Sequence, residues 1–254
     1  MRQLFPSPAD DVDPAAIYGR MPTRHDGLPP VRVNMIQSVD GAGSLAGRSG
    51  GLSGPADKAL FGTLRAATDV VLVGAGTVRA EHYGPVRLSD AQRAWRVDEG
   101  LGPVPPIAVV SGSCRLDVDT PFFTRAEARP VVVTVDAASP DERGRLAEVA
   151  DVIVAGEKRV DLRVALSALA ERGWSNILAE GGPIMVGELA RDDLIVELCV
   201  TLSPEVVVGD APRIARGPAV ENPARLRLLS LLEDDGFLFT RFGRDGAGEE
   251  ARAV

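Results

Sequence analysis

Ile177-Leu178-Ala179-Glu180-Gly181-Gly182-Pro183-Ile184-Met185-Val186 is the stretch on which the reading of this chain turns. Three apolar residues make a short buried strand. Two glycines then allow the backbone to approach a ligand without interference from a Cβ. Pro183 suits the first position of a helix, where its missing N–H costs nothing, and an apolar-periodic segment follows. A helix start of this kind presents unpaired N–H groups and the positive end of its dipole, a natural seat for phosphate. A second strand, Val70-Val71-Leu72-Val73, runs into a second glycine turn, Gly74-Ala75-Gly76-Thr77. Alone, a Gly-Gly after a strand is usually only a tight turn. The third glycine of the dinucleotide fingerprint is also missing, since Arg79 stands in its place. Two such turns in one chain nevertheless point to a nucleotide cofactor laid across the ends of a sheet.

Outward from these turns the chain alternates between β-branched runs and helical periods. Val31–Ile36 reads as the first strand, and a glycine-rich loop, 41–54, follows it. Ser53 is placed to cap a helix from Pro55 with Leu60, Leu64 and Ala67 on one face. A long connection, 84–105, holds a short helix near Ala91–Val97. Then come strands at Ile107–Val110, Val131–Val135 and Asp151–Ala155. Between the last two, Ser139-Pro140-Asp141-Glu142 has the form of a capping box. A helix over Asp161–Arg172 stops at Gly173, and the helix after Pro183 runs to about Ala190. Beyond it, Ile195–Leu202, Glu205–Val208, Leu226–Leu231 and Gly236–Phe242 read as strands of an antiparallel end. The expectation is α/β: a central, mostly parallel sheet flanked by helices with antiparallel strands at the C-terminal end. Residues 1–30, with six prolines, read as an irregular arm, 31–244 as a single domain and 245–254 as a disordered tail.

Composition narrows the function. The 254 residues are 45% hydrophobic and 25% charged, with a net charge of −8, which argues against a general nucleic-acid binder. No signal peptide or membrane-spanning run is evident. Cys114 and Cys199 lie far apart, with no Cys-x-x-Cys pair to hold zinc, and the expectation is a cytoplasmic enzyme without a metal.

Three motifs, in order, carry a resemblance: Ser38-Val39-Asp40-Gly41 after the opening strand, Gly74-Ala75-Gly76-Thr77-Val78, and Glu180-Gly181-Gly182-Pro183, with Leu64-Arg65-Ala66 before the second strand. In these the chain resembles the pyrimidine reductases of riboflavin biosynthesis, whose fold is similar to dihydrofolate reductase. The resemblance spans roughly residues 31–208 and continues toward Phe242. It implies an NADPH-dependent reductase that opens the ribosyl group of a pyrimidine ribosyl phosphate to a ribityl chain, working as a homodimer. The deaminase domain of bifunctional members, with its His-x-Glu and Pro-Cys-x-x-Cys, is absent.

Carried over by position, the resemblance implies cofactor contacts from Gly51, Gly74, Gly76, Thr77, Glu81, Gly181, Gly182, Pro183, Ile184 and Met185, with Val186 beside them. It puts Asn34, Ser49, Arg65 and Arg87 on the substrate side. Asp40 and Glu180 are the expected catalytic carboxylates, Asp40 recognising the ring and Glu180 sitting near the reacting carbon. Arg115, or a hydroxyl beside it, is the expected partner of the cofactor's 2′-phosphate. The sequence departs from the family pattern at Asn34, a lysine in many bacterial members, and at Glu81-His82-Tyr83-Gly84, where an Asp-Pro is usual. These changes leave two other readings open: a dihydrofolate or pterin reductase on the same fold, and a non-catalytic nucleotide-binding protein.

Overall fold

The computed structural model describes residues 1–22, 24 and 26–244, so the expected tail 245–254 lies outside the described residues. In chain order the elements are β1 (Arg2–Phe5), α1 (Pro14–Ile17), β2 (Val31–Ser38), a 3₁₀ turn (Ser49–Gly51), α2 (Pro55–Ala66), β3 (Val70–Gly74), α3 (Ala75–Ala80), α4 (Asp90–Asp98), β4 (Ile107–Val110), α5 (Pro121–Thr124), β5 (Val131–Thr134), α6 (Pro140–Val149), β6 (Asp151–Val154), α7 (Leu162–Ala170), β7 (Ile177–Ala179), α8 (Pro183–Arg191), β8 (Ile195–Ser203), β9 (Leu226–Asp234) and β10 (Phe237–Arg244).

The strands make one ten-stranded sheet in the order β1-β9-β10-β8-β2-β7-β3-β4-β5-β6. From β8 to β6 every pairing is parallel; β10, β9 and β1 then add antiparallel strands on the far side of β8. The parallel strands are buried on both faces, which is why they read as unbroken β-branched runs. Alternate residues supply opposite cores. Val71 and Val73 pack with Leu60, Leu64 and Leu146 on one face, and Val70 and Leu72 with Leu166, Leu169 and Leu189 on the other. Helices α2 and α6 therefore cover one face, and α7 and α8 the other.

Several local expectations are corrected. The arm over 1–30 is not irregular throughout. Before the proline-rich part, Arg2–Phe5 pairs antiparallel with β9, and Tyr18 is fully buried. The buried Glu197 carboxylate accepts from both Arg32 and Arg241, whose guanidinium groups also donate to the carbonyls of Tyr18, Gly19 and Ile17. That network ties the arm to β2, β8 and β10. Ile195–Leu202 is antiparallel to β10 but parallel to β2, so it is the strand where the sheet changes sense. Glu205–Val208 is not a strand. Val206 and Val208 are exposed, and the segment's amides are taken by a side chain rather than by a neighbouring strand. Gly54, not Ser53, is the N-cap of α2, while the Ser53 hydroxyl donates to Asp57 at 2.6 Å. Ser139 does accept from the Glu142 amide, but the Glu142 carboxylate turns to Arg145 instead of closing a capping box. The complete box is at Ser89 and Gln92, which starts α4.

Candidate active site

From β3 the chain lays β4, β5 and β6 outward in succession, then returns to insert β7 between β2 and β3 and to place β8 on the other side of β2. Such a reversal leaves a crevice beyond the carboxyl ends of the strands, where parallel sheets bind ligands. Here it is a cleft of about 690 Å³, bordered by the ends of β2, β3, β4 and β7.

One half is built from backbone. The Gly74 amide donates to the Gly181 carbonyl at 2.8 Å, so the two glycine turns touch. A Cβ on Gly182 would lie 2.6 Å from Thr77 Oγ1, and one on Gly74 would lie 3.3 Å from the Gly182 nitrogen. A side chain at either position would force its neighbour to shift. Gly182 is the N-cap of α8 and offers no side chain to it. The first α8 amide to find a backbone acceptor is that of Val186, which donates to the Gly182 carbonyl at 3.1 Å in the first i→i−4 pair of the helix. The amides of Ile184 and Met185 are among those a helix start leaves unpaired. Gly182, Pro183, Ile184, Met185, Gly74, Gly76 and Thr77 all line the cleft, as do Ser111 and Ser113 after β4. Gly51 and Gly181 do not. Gly51 stands against Leu45, and Gly181, at φ 87, against Met35. These two stand behind the residues that line the cleft. Arg115 is also outside the lining; its carbonyl accepts from Arg79, which does line the cleft.

The other half is built from side chains. Arg65, from α2, donates through Nε and Nη2 to the two oxygens of Glu180 at 2.7 and 2.8 Å, and the Tyr83 hydroxyl donates to Glu180 Oε2 at 2.8 Å. The Arg65 guanidinium also lies 4.1 Å from the Phe61 ring centroid. Burial, and after it the neighbouring Glu180 carboxylate, pushes the Tyr83 phenol well above its ordinary range, so it stays a donor. Against the cost of its own burial, Arg65 is held more firmly protonated by Glu180. Glu180 does line the cleft, but as the acceptor of an ion pair rather than as a free acid. Asn34 and Ser49 also line the cleft. Glu81 lines it too, with its Oε1 accepting from the Ser49 amide at 2.6 Å, so its partner is the Ser49–Gly51 turn and not the cofactor turns.

Two expected residues lie elsewhere. Arg87 is exposed and outside the cleft lining, because the loop after His82 carries it away. Asp40 is also exposed and outside the lining. Its carboxylate accepts from the Ser38 hydroxyl and from the amides of Val207 and Val208 at 3.2 and 2.8 Å. These bonds, the Ser38 hydroxyl foremost, hold its carboxyl down at about 2. Sequence reasoning missed Lys58, Phe61, Arg79 and Tyr83, which all line the cleft. Lys58, Phe61 and Arg65 share one face of α2, but a helix face with two cations reads as an ordinary solvated surface. Lys58 and Arg79 have no salt bridge among the described residues.

The lining fits a phosphorylated dinucleotide: touching glycine turns, amides left open at the start of α8, two hydroxyls after β4 and two cations with no salt-bridge partner among the described residues.

Comparison with known proteins places the chain in a family. Residues 29–237 match the family model described as RibD C-terminal domain. The chain is similar to the 2,5-diamino-6-ribosylamino-4(3H)-pyrimidinone 5′-phosphate reductase of Archaeoglobus fulgidus, 31% identical over 219 residues, covering 85% of this chain and 99% of that one. Among solved structures it is similar to a pyrimidine reductase-like protein of Corynebacterium diphtheriae, with TM-score 0.80 and 26% identity, covering 91% and 98% of the two chains. The fold alone is shared with the dihydrofolate reductase of Enterococcus faecalis, a structure complexed with NADP(H), at TM-score 0.50 and 12% identity over 85% of this chain and 96% of that one.

Proposed function

The chain belongs to the RibD C-terminal domain family, and we propose that it is an oxidoreductase of riboflavin biosynthesis that reduces a pyrimidine ribosyl 5′-phosphate with NADPH. The observation that carries this reading is the contact of the two glycine turns at the ends of β3 and β7, beside a half-cleft walled by Arg65, Glu180 and Tyr83. Bound against the turns, NADPH would supply the hydride that converts the ribosyl carbon to an open ribityl chain. The chain's own part is placement. The open amides of α8 and the Arg79 guanidinium suit the cofactor phosphates, and Lys58 suits the phosphate of the substrate. Asn34 offers both a donor and an acceptor to the pyrimidine edge. Arg65, clamped by Glu180, is left with its Nη1 for the substrate. Met35, Ile36 and Phe61 make an apolar wall that keeps water from the reacting centre.

No helix among the described residues is long and apolar enough to cross a membrane. Both cysteines are free and buried, which supports a cytoplasmic enzyme. We infer a homodimer with its contact on the strand-rich C-terminal third; light scattering tests it.

The decisive experiment is NADPH oxidation with three acceptors: the 2,5-diamino-pyrimidinone ribosyl phosphate named for the archaeal relative, its deaminated uracil counterpart, and dihydrofolate. Turnover with a ribosyl phosphate and none with dihydrofolate is expected. Turnover with dihydrofolate alone would favour the pterin reading, and NADPH binding with no turnover on any of the three the non-catalytic one.

A further inference from the structure

Residues 204–225 join β8 to β9 without regular structure. A connection of this length inside a compact fold is usually functional, and this one is fastened along its course. The Glu205 carbonyl accepts from Val39 at 3.0 Å, and the Val207 and Val208 amides donate to Asp40. Further on, the Pro212 carbonyl accepts from the Gly43 amide at 2.8 Å, and Pro212 itself lines the cleft. Ala215 then packs on the core under α7 and α8. Finally the Arg216 amide donates to the Pro183 carbonyl, in the first turn of α8, at 2.9 Å. Two seats have no room for a side chain. A Cβ on Gly43 would lie 2.7 Å from the Pro212 oxygen, and one on Gly187 would collide with the Arg216 carbonyl.

Val208 shows that the fastening carries load. Its φ of 53° is the left-handed region, an outlier for a β-branched residue. Such a conformation persists only where the surroundings over-determine it, and here the Val208 amide is bound to the Asp40 carboxylate. The segment thus runs from the end of β8, over the cleft, to the helix start whose open amides face the glycine turns.

We propose that residues 204–225 are a fixed strap that sets the affinity of the cofactor half, with Asp40 and Gly187 as its two fastenings. Both are positioning residues that act through the strap. The proposal deepens the reading above and rests on it, since it takes the occupant of that half to be NADPH. Pre-ordering of the α8 amides is what the strap provides, and donors already in place cost a ligand less ordering entropy than donors it must order itself.

Asp40→Asn, Gly187→Ala and the double variant test this. Alanine for glycine ordinarily favours a helix, so any loss from Gly187→Ala must come through Arg216. Amide hydrogen exchange on the ligand-free protein should speed up across 205–216 and at Ile184–Gly187 in both single variants, with unchanged far-ultraviolet circular dichroism. NADPH affinity by calorimetry should fall about five- to tenfold in each, and the double variant should lose little more than either alone, the signature of two residues acting on one element. At saturating NADPH, kcat should stay within about twofold of wild type. Unchanged exchange in either variant would overturn the strap. So would an Asp40→Asn enzyme with wild-type NADPH affinity and kcat down about a hundredfold, since Asp40 would then act on the reaction directly. A wild-type protein that binds no NADPH would overturn the functional reading and the affinity part of the proposal, and the exchange measurement, which needs no ligand, would then decide the fastening alone.

Discussion

The carboxyl ends of β2 and β7 each carry an acidic residue next to glycine, Asp40 and Glu180, and the two have opposite fates. Glu180 is buried, with a side chain 1% exposed, and shares both oxygens with Arg65. Asp40 is exposed and binds a hydroxyl and two amides of a distant segment. At the level of sequence they look alike: a carboxylate following an apolar strand. What separates them is what crosses the strand end. Beside β7 passes α2 with its guanidinium; beside β2 passes the loop over 204–225. A strand-end carboxylate takes its role from that neighbour, and the neighbour comes from far along the chain.

The widest gap between the two should appear on removing a charge. Glu180→Gln leaves the Arg65 guanidinium, 13% exposed, without its counter-ion. Breaking one partner out of a buried pair costs about 3–5 kcal/mol, and a large drop in the urea midpoint is expected, with loss of turnover. Replacing both partners, as Arg65→Met with Glu180→Leu, should restore most of the stability and none of the activity. Asp40→Asn should leave the urea midpoint essentially where it was. Equal midpoints for the two single variants would erase the distinction between the two carboxylates.

Tyr83→Phe isolates the third member of the Glu180 cluster. It removes one hydrogen bond to a carboxylate and leaves the ring in place, so a loss of about 1.5–2 kcal/mol in denaturant unfolding is expected. No loss would mean that Arg65 alone satisfies Glu180.

Much of this was legible in the sequence, for reasons that differ by element. The strands β3, β4, β5 and β7 announced themselves because burial on both faces demands unbroken apolar runs. The glycine turns were visible because two glycines follow a buried strand, and the fold shows why they suit the site: a Cβ at Gly182 would press on Thr77 Oγ1. The strand Arg2–Phe5 was hidden by its length and by the prolines that follow it. The hydrogen-bond partners of Asp40 and Glu81, Val207–Val208 and Ser49, could not be read from the sequence, because sequence distance conceals them. Lys58 and Arg79 could not be picked from other surface cations, since what marks them is their place on the cleft wall, which only the folded chain shows.

The glycine turns give a sharper contrast between contact within the protein and contact with a ligand. Gly182→Ala would press on Thr77 Oγ1, and NADPH affinity should fall about tenfold, or about 1.4 kcal/mol. Adding Thr77→Ala should recover part of that loss if the pressure is internal. Gly76 has nothing within 4 Å. Gly76→Ala, in α3, should therefore leave the melting temperature unchanged or raise it slightly, since alanine favours a helix, and any fall in NADPH affinity must reflect a cofactor that comes close to the backbone there. Recovery in the first case and a fall in the second would separate the two causes; a silent Gly76→Ala would move the cofactor away from that turn.

The smallest effect expected is the acid response of Asp40, and it is specific. Its folded value, about 2, lies below the ordinary carboxylate value of about 3.9. A depressed value means that its contribution is fully present above pH 4 and is lost as pH falls toward 2. Protonation there would turn an acceptor of three hydrogen bonds partly into a donor and loosen Val207 and Val208, the second of which the carboxylate holds in a left-handed backbone. Pepsin, active across this window, should cut within 205–216 faster at pH 2 than at pH 4, by about threefold after correction for its own pH profile. In Asp40→Asn the strap should be cut fast at both values. A Val208→Gly variant removes the strained conformation, so its strap should depend less on the carboxylate and its cleavage should vary less with pH. If all three proteins shared one pH profile, the acid response would belong to global unfolding, and Asp40 would be an incidental surface acid instead of the hook that holds the segment over the cleft.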